Sequence, residues 1–191
     1  MAAVCLLLAT VPVQSDPSAA DSLLPEKMSP GEKLMWGPNG LMRKVGNFPL
    51  TGEGRERELG LRRTLLTAHQ LGGFATLGTM ITTVVLGQMT LNGRDLGETH
   101  ETFAFTTVGL YGLTAALSLI SPPPLIRRDN WSSVSTHKAL AWVHFTGMVL
   151  TPILGQMVAD GGDDDVRRFH QVSAYTTTAA FAGAMLVITF R

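Results

Sequence analysis

Two stretches of this chain are copies of one another. Residues 69–89 read HQLGGFATLGTMITTVVLGQM and residues 137–157 read HKALAWVHFTGMVLTPILGQM, and the two align without a gap. Both begin with a histidine and both end with the same four residues, LGQM. A helix needs about 20 predominantly apolar residues to cross a bilayer, and each copy is that long. The pair therefore indicates an internal duplication of a membrane-spanning segment.

The repeat continues into the segment that follows each copy. Residues 100–107 read HETFAFTT and residues 170–177 read HQVSAYTT, so a histidine, an alanine and a pair of threonines recur in register. Each repeat is thus a two-helix hairpin with a histidine near the N-terminal end of each helix. Because each hairpin has two spans, the halves share one topology, and a pseudo-two-fold axis along the membrane normal is expected to relate them.

The composition agrees with a membrane protein. The chain has 191 residues, of which 45% are hydrophobic and only 16% are charged, whereas soluble domains carry about a quarter charged residues. The formal net charge is +0, which gives no indication of a nucleic-acid partner. The chain has a single cysteine, Cys5, which excludes a disulfide framework or a thiolate metal site within the chain.

Four apolar segments are predicted to cross the membrane as helices. They cover residues 64–89, 98–120, 133–158 and 168–190, and three consecutive prolines at 122–124 follow the second segment and stop it. The connections are short, which makes neighbouring helices antiparallel. The predicted fold is an all-α membrane protein, a four-transmembrane-helix up-down bundle formed by a duplicated two-helix hairpin.

The residues before the bundle have a different composition. Residues 1–15 contain a short apolar run and are interpreted as a signal peptide or a frayed N-terminus. Residues 16–61 are polar and rich in proline and glycine, and we predict an extended arm with a short helix around residues 31–36. We expect this arm to lie on the membrane surface or on a partner subunit. Residues 62–191 are predicted to form the transmembrane domain.

Basic residues are distributed unevenly between the two ends of the predicted bundle. The end that joins the arm carries eight of them: Arg55, Arg57, Arg62, Arg63, Arg127, Arg128, Lys138 and Arg191. The opposite end carries three basic and seven acidic residues. The positive-inside rule therefore predicts a cytoplasmic arm, whereas a cleaved signal peptide would export it. The charge asymmetry is preferred because two separate regions of the chain contribute to it.

All five histidines lie in the predicted helices. The duplication places the first span opposite the third and the second opposite the fourth. His69 and His137 are therefore expected to face each other at the arm end, and we name them the arm-side pair. His100 and His170 are expected to face each other at the opposite end, and we name them the far-side pair. The pairs are expected to lie roughly 20 Å apart along the normal.

A facing pair of imidazoles without a carboxylate suits the axial ligation of haem iron. Small residues near the histidines leave room for a macrocycle, although they also serve ordinary helix packing. Di-iron and zinc sites are disfavoured, because no Glu-x-x-His motif occurs and the pairs are too far apart to converge on one ion. We therefore predict two haem b groups in residues 62–191, with four metal ligands: His69, His137, His100 and His170. Purely structural roles for these histidines are the alternative.

Four further residues are candidates for the cofactor site. His144 has no counterpart in the repeat and lies seven residues after His137, about two turns deeper on the same face. It is predicted to replace His137 as ligand, to hydrogen-bond a quinone or a propionate, or simply to pack. Arg62 and Arg63 are candidates to hold an anionic donor or propionates of the first haem, and Arg168 those of the second. The alternative is that these arginines set the topology and contact lipid headgroups.

Four histidines on four consecutive spans, paired first with third and second with fourth, resemble the pattern of the cytochrome b561 family. The resemblance covers residues 62–190 and rests on the arm-side and far-side pairs with the repeat around them. It implies a four-helix core that binds two b-type haems and passes electrons across the membrane. Donors in that family include ascorbate or quinol, and acceptors include ferric chelates, quinones or partner proteins. The absence of flanking helices resembles a compact bacterial form, which implies a multi-pass protein of the bacterial cytoplasmic (inner) membrane.

The function predicted from the sequence is that of an electron-transfer protein or a transmembrane oxidoreductase. It is expected to contact membrane lipid, a quinone or ascorbate-like donor, and a partner cytochrome or a larger membrane complex. One alternative is a cofactor-free scaffold subunit of a respiratory or electron-transfer complex. The other is a monohaem anchor subunit of such a complex. The number of haems per chain distinguishes the three.

Overall fold

The computed structural model describes residues 23–126 and 131–190. The predicted signal segment and the arginines at 127, 128 and 191 lie outside this part of the chain. Within it all regular secondary structure is helical, in the order α1 (Pro30–Trp36), α2 (Leu41–Val45), α3 (Gly52–Leu91), α4 (Gly97–Leu119), α5 (Ser133–Ala159) and α6 (Asp164–Thr189).

Helices α3 to α6 are each long and apolar enough to cross a membrane. Each of them also leaves large apolar side chains exposed, for example Leu71, Phe105, Trp142 and Val172. Contiguous apolar surface of this kind is stable against lipid but not against water. The chain is therefore a multi-pass integral membrane protein in contact with lipid, and the predicted all-α bundle of four transmembrane helices is confirmed.

The ends of three predicted spans are correct to within a few residues, and one is not. Helices α4 and α5 match the predicted segments to within one residue, and α6 begins four residues earlier than expected. Helix α3 begins at Gly52, twelve residues before the predicted start at Thr64. The extra residues include glutamate, arginine and leucine, which favour helix although the segment is too charged for the hydrocarbon. An apolar pattern marks where a helix enters lipid, not where it begins.

The duplication extends into the turn of each hairpin. Gly93 follows α3 with φ of 82° and Gly161 follows α5 with φ of 92°, and the two glycines are equivalent in the repeat. This left-handed backbone is readily adopted only by glycine. Beside each turn a glutamine of the LGQM motif donates to a side chain four residues later, with both distances 3.2 Å. The two hairpins thus share their turn chemistry as well as their spans.

Residues 23–60 and 122–126 belong to a compact unit of their own. Its centre is Glu58, which is fully buried and pairs with Arg43 and with the buried Arg55. Arg43 Nη1 lies 2.5 Å from Glu58 Oε1. Arg43 also donates to the carbonyl oxygens of Trp36, Gly37 and Phe48, which gathers the chain after α1 around one guanidinium. Arg55 Nη2 donates to the carbonyl oxygen of Pro123 at 3.3 Å.

The described part of the arm is therefore folded, which corrects the prediction of an extended segment. The short helix predicted around residues 31–36 is confirmed as α1. Ser29 caps it, with Ser29 Oγ accepting from the Glu32 amide at 3.3 Å and the Glu32 carboxylate accepting from the Ser29 amide at 2.8 Å. The remaining arm acquires its shape from the buried ion cluster around Glu58, because an unpaired charge cannot remain buried.

Candidate functional site

The arm-side pair is formed as predicted, by α3 and α5. The rings of His69 and His137 face each other with centroids 6.3 Å apart and planes at 85°. His69 Nδ1 lies 2.8 Å from the carbonyl oxygen of Thr114, and His137 Nδ1 lies 3.0 Å from that of Ala184. A carbonyl oxygen only accepts, so each Nδ1 carries the proton and donates it. The Nε2 atom of each ring is left with a free lone pair.

The far-side pair repeats this arrangement at the other end of the bundle. The centroids of His100 and His170 are 6.2 Å apart and their planes meet at 87°. His100 Nδ1 donates to the carbonyl oxygen of Thr83 at 2.9 Å, and His170 Nδ1 donates to that of Thr151 at 3.0 Å. Thr83 and Thr151 are equivalent in the repeat. All four histidines therefore adopt the same tautomer through a backbone acceptor on the other helix of their own hairpin.

The glycine of each LGQM motif makes room for a far-side ring. A Cβ atom at Gly87 would lie 2.8 Å from His100 Cε1, and one at Gly155 would lie 3.0 Å from His170 Cε1. Carbon atoms in contact are normally about 3.5–4.0 Å apart, so neither position accepts a side chain without displacing the imidazole. Sequence reasoning recognised LGQM as a repeat but missed this role. The sequence did contain a signal for this role. The glycine of LGQM recurs in both copies at the depth in the membrane where the following helix carries its histidine.

A cavity of about 530 Å³ adjoins the far-side pair. Ligand pockets in proteins commonly measure about 300–1,000 Å³. The surface of its walls is mostly apolar and includes Met80 and Met148, and Arg167 is one of the polar residues that line it. Arg168 was predicted to hold the propionates of the second haem. It is exposed and is not among the residues that line this cavity. Its neighbour Arg167 lines the cavity and donates to Asp164 at 2.8 Å.

The remaining candidates are not members of either facing pair of rings. His144 is only 7% exposed, and its Nδ1 lies 3.0 Å from the hydroxyl of Tyr111. The ring that faces His69 is that of His137, so the geometry favours His137 over His144 as the ligand on α5. Arg62 is half-buried and Arg63 is exposed. Their predicted contact with propionates stays a prediction.

The spacing of the two pairs can be tested against an ion held between two imidazoles. Metal–nitrogen bonds to histidine measure about 2.0–2.1 Å. In a five-membered ring with bonds of about 1.35 Å, each ring nitrogen lies about 1.15 Å from the ring centre. Two imidazoles in line on one ion therefore have centroids about 6.4 Å apart. The observed separations of 6.3 and 6.2 Å agree with this distance. The separation of the rings in each pair therefore leaves room for one ion between them.

Other kinds of metal centre do not fit the described side chains. Across residues 23–126 and 131–190, no group of three or more histidine, cysteine, aspartate or glutamate side chains is placed to hold a metal ion. Structural zinc needs four protein ligands and a di-iron site needs several carboxylates. Haem brings its own equatorial nitrogens, so that two axial imidazoles suffice.

Comparison of the chain with known protein families, with curated proteins and with solved structures finds no match. The fold and the geometry alone therefore define its class. It is a multi-pass helical membrane protein, built from two equivalent hairpins, that presents two facing pairs of histidines.

Proposed function

We propose that this protein is a dihaem b-type membrane cytochrome that transfers electrons across or within the membrane. The observation that carries the proposal is the geometry of the two histidine pairs, whose centroid separations of 6.3 and 6.2 Å match bis-imidazole ligation. Two such pairs in one small bundle, at equivalent positions of a repeat, are hard to attribute to packing. An ionisable side chain within a span is costly, and a packing role is met by an apolar residue.

The hydrogen bonds at Nδ1 support the same function. Histidines that ligate metals usually donate their other ring nitrogen to a carbonyl or carboxylate, which fixes the tautomer and the ring plane and makes the ligating nitrogen more basic. Here all four rings donate to a main-chain carbonyl at 2.8–3.0 Å. A histidine that only filled space would not need the same tautomer and the same kind of acceptor at four places.

The positions of the pairs suit passage of an electron through the bilayer. His69 and Thr83, whose carbonyl orients a far-side ring, are 14 residues apart on α3 (83 − 69). At 1.5 Å per residue this separation is about 21 Å, so the two pairs serve opposite leaflets of a core about 30 Å thick. Haem bound at each pair supplies one-electron redox chemistry. The protein holds the ligands, orients them and excludes water.

The partners are proposed from chemistry and topology. The excess of basic residues at the arm end supports a cytoplasmic location for that end, and the bacterial cytoplasmic membrane is the proposed location. The proposed donor is a quinol, an ascorbate-like reductant or a protein, and the acceptor is a small oxidant or a partner cytochrome. Membership of a larger membrane complex is compatible with the folded unit formed by residues 23–60 and 122–126.

A monohaem anchor subunit is the second candidate function. The observation that favours it is the cavity of about 530 Å³, which adjoins only the far-side pair of histidines. In that case the far-side site alone binds haem and the arm-side imidazoles brace the bundle.

The deciding experiment is a reduced-minus-oxidised absorbance spectrum of the detergent-purified protein with haem quantification. Two haems per chain and a b-type spectrum support the proposal. One haem supports the anchor subunit, and none, in protein expressed with adequate haem, refutes both. The variants His100→Ala and His137→Ala should each lose one haem. His144→Ala is the matched control and should retain both, since it lies on the same helix as His137 but outside the pair.

A further inference from the structure

A polar pair between the two histidine sites, formed by the buried His144 and the half-buried Tyr111, has no role in the function proposed above. The hydroxyl of Tyr111 on α4 lies 3.0 Å from Nδ1 of His144 on α5. His144 also packs against Phe181 of α6, with ring centroids 4.9 Å apart. Burying an imidazole and a phenol inside a membrane bundle is unfavourable unless they are hydrogen-bonded, and apolar side chains fill such a place without that requirement. The pair therefore calls for an explanation beyond packing.

The pair belongs to the inner side of the arm-side site. His144 follows His137 by seven residues and lies about two turns deeper on the same face of α5. Tyr111 precedes by three residues Thr114, whose carbonyl oxygen orients His69.

The protein itself shows that this position packs without the polar pair. The repeat aligns His144 with Thr76 and Tyr111 with Phe181. Thr76 is fully buried, and its hydroxyl donates to the Gly72 carbonyl of its own helix at 2.8 Å. The equivalent place between α3 and α6 is thus filled by a phenylalanine and by a threonine whose hydroxyl is satisfied within its own helix. The imidazole and the phenol stand only between α4 and α5.

The inner side of the far-side site is different. There the repeat places two methionines, Met80 and Met148, which both line the cavity beside His100 and His170. Met80 is 4% exposed. Thioether side chains are polarisable but make weak hydrogen bonds. The two sites therefore differ in the side chains on their inner sides, with an imidazole–phenol pair at one and methionines and threonines, among them Thr107 and Thr177, at the other.

We infer that the Tyr111–His144 pair holds the midpoint potential of the arm-side haem below that of the far-side haem. The inference rests on the proposed function. Ferric bis-imidazole haem carries one more positive charge than the ferrous form, and polar groups near a buried charge stabilise the more highly charged state. The partner of His144 is a phenol and not a carboxylate, so in this apolar interior the imidazole contributes a dipole rather than a charge. The resulting order of potentials favours electron passage from the arm side to the far side.

The test converts the polar pair into its repeat counterpart. His144→Thr combined with Tyr111→Phe should raise the midpoint potential of the arm-side haem in an equilibrium redox titration of the full dihaem protein. We expect at least a tenfold change in its oxidised-to-reduced ratio at fixed potential, equivalent to about 59 mV for one electron. The far-side potential should not move. The arm-side component is assigned by comparison with His100→Ala, which removes the far-side haem.

Two further variants make the result specific. Tyr111→Phe alone removes only a hydroxyl and should raise the same potential by a smaller amount, even if the double variant binds haem poorly. Thr106→Val removes a hydroxyl from the exposed face of the same helix, where it bonds only to the Thr102 carbonyl at 2.8 Å, and should move neither potential.

The outcomes separate this inference from the proposed function. If the protein binds two haems and the arm-side potential stays or falls in Tyr111→Phe and the double variant, the inference is wrong and the dihaem function stands. If the parent protein binds no haem, the proposed function fails, and the inference fails with it. Haem content and melting temperature of each variant show that a change in potential does not arise from partial unfolding.

Discussion

The substitution Gly87→Ala should remove the far-side haem and leave the arm-side haem in place. The added methyl group would lie 2.8 Å from His100 Cε1, so the ring must retreat by about 0.7–1.2 Å to restore a normal carbon–carbon contact. The same ring donates to the Thr83 carbonyl at 2.9 Å, on the same helix as Gly87. A retreat of 0.7 Å from that helix stretches this bond to about 3.6 Å, beyond the usual range of about 2.7–3.2 Å.

The magnitude of the effect follows from these two losses. Losing the orienting hydrogen bond of a metal-bound histidine costs about 10–100-fold in metal affinity. The crowding itself costs about 1–3 kcal/mol, partly offset by the gain of about 0.5–1 kcal/mol when alanine replaces glycine inside a helix. The fold should therefore survive while the far-side site fails. Gly155→Ala, with its closest contact at 3.0 Å, should have the same effect on a smaller scale.

The assay is haem quantification with a thermal melt in detergent, and Gly78→Ala is the matched control. Gly78 lies on the same helix, is exposed, and a Cβ atom there meets nothing within 4 Å. This control should retain both haems and melt at the same or a slightly higher temperature. Two haems per chain with an unchanged spectrum in Gly87→Ala would show that the far-side rings do not need the clearance that we describe.

Three other predictions concern stability and ligation. Glu58→Gln should destabilise the folded arm by about 3–5 kcal/mol, because it leaves two buried arginines without a counter-charge. Limited proteolysis of the arm measures this loss of stability. The control Glu56→Gln, at an exposed position, should change the stability little. His137→Ala should lower haem content while His144→Ala does not, and the opposite result would make His144 the ligand. Asp163→Ala removes the cap that accepts from the Val166 amide at 3.0 Å and should lower the stability of α6 by about 0.5–2 kcal/mol, seen as a lower melting temperature.

The transmembrane fold and the pairing of the rings could be predicted from the sequence because both depend on periodic side-chain patterns. Four apolar runs predicted four helices, and the ungapped repeat predicted that His69 faces His137 and that His100 faces His170. The length of α3 could not be predicted in this way, because residues 52–63 form a helix without being apolar.

The parts that sequence reasoning missed depend on the backbone or on distant contacts. The acceptors of the four Nδ1 protons are main-chain carbonyl oxygens. Because every residue has such an oxygen, the residue type does not predict which one accepts. The folded arm depends on Glu58 meeting Arg43, fifteen residues earlier in the chain, and Arg55 bonding to Pro123, 68 residues later. The charged residues of a polar segment do not by themselves indicate which of them will pair with each other in the fold.

Each hairpin supplies one ring to each site and also supplies the carbonyl that orients it. His69 and His100 are oriented by Thr114 and Thr83 of the first hairpin, and the second hairpin does the same for its own two histidines. A single hairpin is thus one complete half of both sites. A homodimer of such hairpins, related by a two-fold axis, would assemble both histidine pairs without any further part. When the two hairpins are joined in one chain, they no longer have to be identical, and each copy can diverge. His144, which has no histidine counterpart in the first hairpin, is an example of this divergence.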